Sequence, residues 1–206
     1  MFARSTTVQA RLESIEAGVT HVRDVVMPAL LEIDGCVGLS MLVDRMAGRC
    51  IATSAWQSED AMRASEDRVR PVRDRVAEIL GGESQVELWE IAALHRDHTS
   101  RPGACVRATW VRVPPAGIDR GVEAYRMTAL PAMEATAGFC SSSLMINRET
   151  GRAVSSVTFD SQKALEDSRE RAATVRESAT REAGADVLDV CEFELALAHL
   201  RVPEMA

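Results

Sequence analysis

The sequence predicts an α+β protein made of two tandem ferredoxin-like units, each of order β-α-β-β-α-β, and three observations carry the prediction. Residues 48–65 recur as residues 151–168, with Gly48/Gly151, Arg49/Arg152, Ser58/Ser161, Ala61/Ala164 and Ser65/Ser168 all 103 positions apart. Within each copy, apolar runs of strand length and helix-spaced apolar stripes follow one another in the order of a split βαβ unit. The strands are apolar on both faces, so the sheet face that two helices leave bare needs a cover, and the second copy supplies an equal one.

Residues 6–12 read as the first strand. Val19, Val22, Val26, Leu30 and Ile33 then recur at three and four residues, which is an amphipathic helix; Pro28 inside the stripe removes a backbone donor and predicts a kink or an irregular turn. Gly35 ends that helix. Residues 36–43 and 49–56 form an antiparallel hairpin about the turn-rich 44–48, and the second strand closes on Trp56. Ser58, followed by Glu59, Asp60 and Ala61, caps a helix over 59–80 whose buried face is Met62, Val69, Val72, Val76 and Leu80. Pro71 is a candidate break in it. Gly81-Gly82 ends the helix, and a fourth strand follows over 86–92.

The offset of 103 continues outward through Gly18/Gly121, Arg23/Arg126, Pro28/Pro131, Gly35/Gly138 and Arg45/Arg148, and through Val72/Val175 to Gly81/Gly184. One added residue then shifts it to 104, laying Trp89 over Phe193. At the front, Val8-Gln9-Ala10 is laid over Val106-Arg107-Ala108, with an insertion near Pro114-Pro115 in the second copy. The organisation expected is a first unit over 1–94, a polar linker over 95–103 and a second unit over 104–206.

The chain has 206 residues, 46% hydrophobic, a net charge of −7 and arginines interleaved with acids, which argues against a nucleic-acid or anionic-membrane surface. No run approaches the ~18 apolar residues of a spanning helix. The five cysteines form no CxxC pair, and Cys36 and Cys50 fall at opposite ends of the hairpin, out of disulfide reach. Reduced thiols point to a cytoplasmic protein.

Pro28, Gly35-Cys36, a strand ending in Trp56, and Ser58-x-x-Ala61 on a helix, repeated as Pro131, Gly138-Phe139, Phe159, Ser161 and Ala164, resemble the antibiotic biosynthesis monooxygenase family of dimeric α/β barrels. The resemblance covers nearly the whole chain as two fused units. It implies an intramolecular dimeric α/β barrel, a ligand pocket between each sheet and its own helices, and a small, flat, apolar ligand. Family activities include cofactor-independent oxygenation of polyketide-like aromatics and oxidative haem degradation. Haem-degrading members use an Asn on the first strand and a His nine or ten residues after the Trp. Here those later positions hold Ser65 and Glu66, or Ser168 and Arg169, and the one Asn is Asn147, in a turn. Haem degradation is disfavoured, and no cofactor is assigned.

The candidate site residues follow. Trp56 can stack on a flat ligand and donate one hydrogen bond, or serve as a core aromatic; Phe159, its match, lacks the donor. His21, one turn from Asp24, is the candidate base, or else one of two polar groups on a helix edge. Tyr125 offers a phenolic donor to a ligand or sits half-buried on its helix. His95 and His98 flank Asp97 with a spacing that can catch a metal, but without a further ligand in view no metal is assigned. Two function classes stay open: a small-molecule-binding protein with cofactor-free oxygenation, and a non-catalytic scaffold that kept the barrel. Further pairing of the fused unit into a homodimer is compatible with both.

Overall fold

A computed structural model describes residues 1–200 and Pro203, so the end of the second unit at 206 lies outside the described residues. The fold is α+β, with two βαββαβ halves and eight strands hydrogen-bonded in the closed order β1-β3-β2-β8-β5-β7-β6-β4. In chain order the first half comprises β1 (Phe2–Gln9), α1 (Ile15–His21), α2 (Met27–Leu31), β2 (Cys36–Val43), β3 (Arg49–Trp56), α3 (Glu59–Ala64), α4 (Glu66–Leu80) and β4 (Ser84–Arg96). The second comprises β5 (Cys105–Arg112), α5 (Ile118–Ala124), α6 (Leu130–Glu134), β6 (Phe139–Asn147), β7 (Arg152–Phe159), α7 (Gln162–Asp167), α8 (Arg169–Ala183) and β8 (Asp186–Leu200). By contact density the chain divides at Trp89/Glu90 and again at Phe193/Glu194, inside β4 and β8. The end of β8 therefore pairs with β2 in the first unit, and the end of β4 with β6 in the second.

Two details differ from the sequence reading, and a third gives the irregular turn expected at Pro28 its form. The register of β1 on β3 sets Arg4 opposite Ser54, and that of β5 on β7 sets Arg107 opposite Val157. Since Ser54 and Val157 are 103 apart, so are Arg4 and Arg107, and the expected insertion near Pro114 disappears: one offset runs from the first strand to Gly184. The second helix breaks at Ser65, not at Pro71, which lies inside α4. The first helix is interrupted by a widened π-turn over Val22–Val26, directly before Pro28 in the first turn of α2. Pro28 has no N–H to close on the carbonyl four residues back, and the wider turn absorbs the missing bond. Tyr125–Ala129 repeats it before Pro131.

The break at Ser65 has a physical cause in the first strand. Arg4, only 2% exposed, drives its guanidinium under α3, where Nη2 donates to the Met62 carbonyl at 2.6 Å and Nη1 to Ser65 Oγ at 3.1 Å. Glu66 supplies the counter-charge at 3.1 Å, and the Trp56 ring lies 5.8 Å from the guanidinium carbon. Burial first, and the nearby Arg73 charge after it, pull the arginine's pKa down, and Glu66 opposes them. Arg107 repeats the set: Nη2 to Leu165 O at 2.7 Å, Nη1 to Ser168 Oγ at 2.8 Å, and the Phe159 ring at 5.8 Å. An uninterrupted helix would keep those carbonyls for its own ladder, so the broken helix and the buried arginine require each other.

Each unit has its own core between sheet and helices. Ser58 and Ser161 cap α3 and α7 by accepting from Ala61 and Ala164 N–H, as the sequence predicts. All five cysteines are free. Among the described residues no helix is long and apolar enough to cross a membrane.

Removing the buried guanidinium takes two donors from beneath α3 and leaves Ser65 Oγ as the remaining side-chain donor to the Met62 carbonyl, at 2.7 Å. Arg4→Met is expected to lower the unfolding free energy by about 2–4 kcal/mol, and Ser65→Ala by about 1 kcal/mol, both read by urea denaturation. Equal losses in the two variants would contradict this ordering.

Candidate functional site

The two units share a backbone plan but not an interior. In the first, the face of α4 toward the sheet carries Val69, Val76 and Leu80, all buried. Leu80 fills the notch left by Gly18, where even a methyl group would overlap its Cδ2. At the matched positions α8 carries Ala172, Ala179 and Ala183, and Ala129 stands where the first unit has Val26. A methyl on Gly121, the match of Gly18, would find its nearest neighbour, Ala183 Cβ, at 3.6 Å. Four large-to-small changes on one side of the core leave space, because packed interiors close only in part around a deletion.

That space is a cavity of about 120 Å³ in the second unit, between the sheet and its helices. Its wall is mostly aliphatic, from Val111, Val113, Ile118, Leu144, Ile146 and the α8 alanines. The polar groups reaching it come from Arg107, Thr109, Tyr125, Ser155, Arg176 and Thr180.

Tyr125 opens the π-turn, lies 8% exposed, and its hydroxyl is hydrogen-bonded to Ser142 Oγ. Burial pushes its pKa up to about 12, against the opposing hydrogen bonds of Ser142 and Ser155. The phenol is neutral at physiological pH and serves as a donor, not a base. In the first unit the three matched positions are Val22, Leu39 and Ala52. The second unit thus gained a tyrosine together with the two hydroxyls that satisfy it.

The charges were also redistributed. Arg4 and Arg73 share Glu66 in the first unit, at 3.1 and 3.0 Å. Position 66 is matched by Arg169, and the acid has moved to β8 as Glu192, which holds Arg107 at 2.9 Å and Arg169 at 2.6 Å. Glu192 is kept ionised, its pKa lowered by Arg169 first and Arg107 second despite partial burial. Arg176, the match of Arg73, lines the cavity and has no carboxylate at ion-pair distance among the described residues.

The residues singled out from sequence do not gather in one place. Tyr125 lines the cavity. Trp56 and Phe159 are fully buried beside Arg4 and Arg107 and are not among the residues lining it. The indole N–H of Trp56 donates to Ser54 Oγ at 3.0 Å. His21 ends α1 on an open surface depression shared with Glu16 and Asp24, and Asp24 accepts from Arg23 at 2.7 Å. The resemblance implies a pocket between each sheet and its own helices; the second unit has one, and the α4/α8 alignment accounts for it, with three alanines against Val, Val and Leu on one helix face.

No protein-family model matches the chain. Among solved structures, an anthrone oxidase-like protein superposes with a TM-score of 0.67 at 13% identity, covering 94% of this chain and 90% of that one. A monooxygenase-like protein from Listeria innocua gives 0.53 at 8% identity, with 95% and 94% covered. A haem-degrading enzyme from Listeria monocytogenes gives 0.53 at 8% identity, with 95% and 99% covered. At such identities the likeness establishes the fold, the dimeric α/β barrel of the antibiotic biosynthesis monooxygenase type. In sequence, the uncharacterized protein Rv2557 of Mycobacterium tuberculosis is 59% identical over 205 residues, all of this chain and 92% of that protein. Rv2558 of the same organism is 58% identical over 206 residues, all of this chain and 87% of that protein. The chain belongs to the family of these two mycobacterial proteins.

Proposed function

We propose that the protein binds a small, flat, largely apolar molecule carrying one acidic group, and that the site is the cavity of the second unit. The observation that carries this reading is the asymmetry between the copies: one interior is closed by Leu80 on Gly18, while the other is opened by alanines and supplied with a satisfied phenol and an unpaired arginine. An apolar cavity of about 150 Å³ takes a benzene ring, so 120 Å³ suits a single ring rather than a polycyclic one. Tyr125 and Thr109 can meet a ring hydroxyl, and Arg176 favours the ionised form of a phenol, enol or carboxylate.

The neighbours of this fold include an oxidase-like and a haem-degrading protein, which supports oxygenation as the reaction class. Cofactor-free oxygenation needs a substrate that is deprotonated and then gives an electron to oxygen. Arg107, Tyr125 and Arg176 are the ionisable residues lining the cavity, and none is a base at neutral pH. The substrate must therefore bring its own acidity, sharpened by Arg176, while the protein contributes orientation and a dry wall. His21, on the surface of the first unit, has no part in this reading. The scaffold alternative applies to the first unit, whose helices pack flush on their sheet. Free cysteines support a cytoplasmic setting.

Benzoate and toluene, titrated separately by calorimetry or NMR, are the probes. Both are expected to bind, and Ala183→Leu, which copies Leu80, is expected to weaken both more than tenfold while keeping or raising the melting temperature. Arg176→Gln is expected to weaken benzoate about tenfold and leave toluene unchanged, since tenfold corresponds to about 1.4 kcal/mol. Binding of neither probe, or binding untouched by Ala183→Leu, would remove the cavity as the site. Oxygen uptake with the tightest-binding phenol is expected if the bound molecule is also the substrate, and saturable binding without uptake would leave the cavity a binding site alone.

Tyr125 is the one tyrosine of the chain, so phenolate absorbance reports it alone. Titration is expected near pH 12 rather than about 10. Because the folded phenol holds its proton after the unfolded one has lost it, stability falls as pH rises from about 10 to about 12. A midpoint at about 10 in the folded protein would show that the phenol is solvated.

A further inference from the structure

We propose that His98, Cys140 and Asp160 form a mononuclear binding site for a borderline divalent transition ion, with zinc as the natural occupant. Each residue offers one ligand atom, and the three atoms lie within 4.8 Å of one another. Asp160 Oδ1 stands at their focus, 2.9 Å from His98 Nε2 and 3.2 Å from Cys140 Sγ. One imidazole, one thiolate and one carboxylate select zinc or its neighbours over magnesium or calcium, which ask for oxygen alone.

The site is built by three strand ends. Cys140 falls where the β6–β7 register slips between Phe139 and Ser141, at a bulge, and bulges re-aim side chains. Its carbonyl accepts from the backbone N–H of Asp97 at 2.9 Å and of His98 at 3.3 Å, so the turn after β4 is pinned to the same residue. Asp160, just past the end of β7, is fixed by its N–H donating to the Gly138 carbonyl at 2.8 Å. Asp97 Oδ2 holds His98 Nδ1 at 2.7 Å. That leaves Nε2 facing the cluster, in the carboxylate–histidine arrangement by which metal sites fix an imidazole.

The first unit shows that the fold does not demand these side chains. Its β2–β3 pair slips at the same place, between Cys36 and Gly38, and Gln57 N–H donates to the Gly35 carbonyl at 2.8 Å. Yet Val37 and Gln57 stand where the second unit has Cys140 and Asp160. The same backbone carries ligands in one copy only. Cys140 is fully buried while His98 and Asp160 are part-exposed, so three protein ligands leave a fourth position toward solvent, the pattern of catalytic rather than structural zinc.

The test is cobalt(II) titration of the chelator-treated full-length protein. One equivalent is expected to give tetrahedral visible bands and a near-ultraviolet sulfur-to-cobalt charge-transfer band, and zinc is expected to abolish both. Cys140→Ser, which leaves the other four cysteines in place, is expected to remove the charge-transfer band. His98→Asn, at a part-exposed turn and without demand on the core, is expected to weaken cobalt binding at least tenfold. Asp97→Asn is expected to weaken it about tenfold without changing the band. Absence of saturable binding in the folded wild type, or a band that survives in Cys140→Ser, would overturn the assignment. Toluene binding in the second-unit cavity provides the check that each variant is folded.

Discussion

The buried arginine beneath each broken helix is the constraint on which the rest depends. A guanidinium taken out of water must spend its donors, and the one nearby source of free acceptors is a helix made to stop. That is why α3 and α4, and again α7 and α8, are separate helices with a serine between them, and why Pro71 has no counterpart in the second copy, where Thr174 stands. The aromatic beside each arginine is bound to the same arrangement: Trp56 and Phe159 are both fully buried at equal distance from a guanidinium. The buried indole N–H of Trp56 is met by Ser54 Oγ, and where Phe159 replaces the indole Val157 replaces the serine.

With that clamp fixed in both copies, divergence is confined to what surrounds it. The carboxylate that balances the arginine sits on the helix in one unit and on the last strand in the other, as Glu66 or Glu192. Moving it keeps Arg107 paired but removes the partner of the next arginine along the helix. The large-to-small changes act on the same helix face. A void of 120 Å³ costs about 3 kcal/mol at about 24 cal/mol per Å³. A ligand that fills the void recovers dispersion contacts that the empty wall lacks.

The fold was legible because duplication, helix caps and apolar periodicity agree: Ser58 and Ser161 cap where expected, and the hairpins fall where Gly48 and Gly151 turn the chain. What was missed has a common cause. The first strand runs over Phe2–Gln9 and not 6–12, so Arg4 falls outside the strand expected from sequence, and laying Val8-Gln9-Ala10 over Val106-Arg107-Ala108 creates a spurious gap near Pro114. Proline is a stronger breaker than serine in sequence, but Ser65 wins because a tertiary hydrogen bond holds the break open. Alanines on α8 read as ordinary helix formers; only set against Val69, Val76 and Leu80 do they spell a cavity. His98, Cys140 and Asp160 lie up to 62 residues apart and meet only because three strand ends converge.

A duplicated unit can separate two demands that conflict in a single copy. Flush packing gives stability, whereas a vacant interior and converging polar side chains reduce it, as functional sites commonly do. Here Leu80 on Gly18 closes one interior, while the cavity, its phenol and the His98, Cys140 and Asp160 cluster all fall in the other. The polar substitutions arrived in satisfied sets: Tyr125 with Ser142 and Ser155, and Arg169 with Glu192. Tyr125 alone would leave a buried hydroxyl without a partner, at a cost of about 1–3 kcal/mol, whereas Arg169 is more than half exposed and Glu192 also pairs with Arg107. The polar side chains around this interior are therefore joined to one another, Tyr125 to Ser142 and Glu192 to both Arg107 and Arg169.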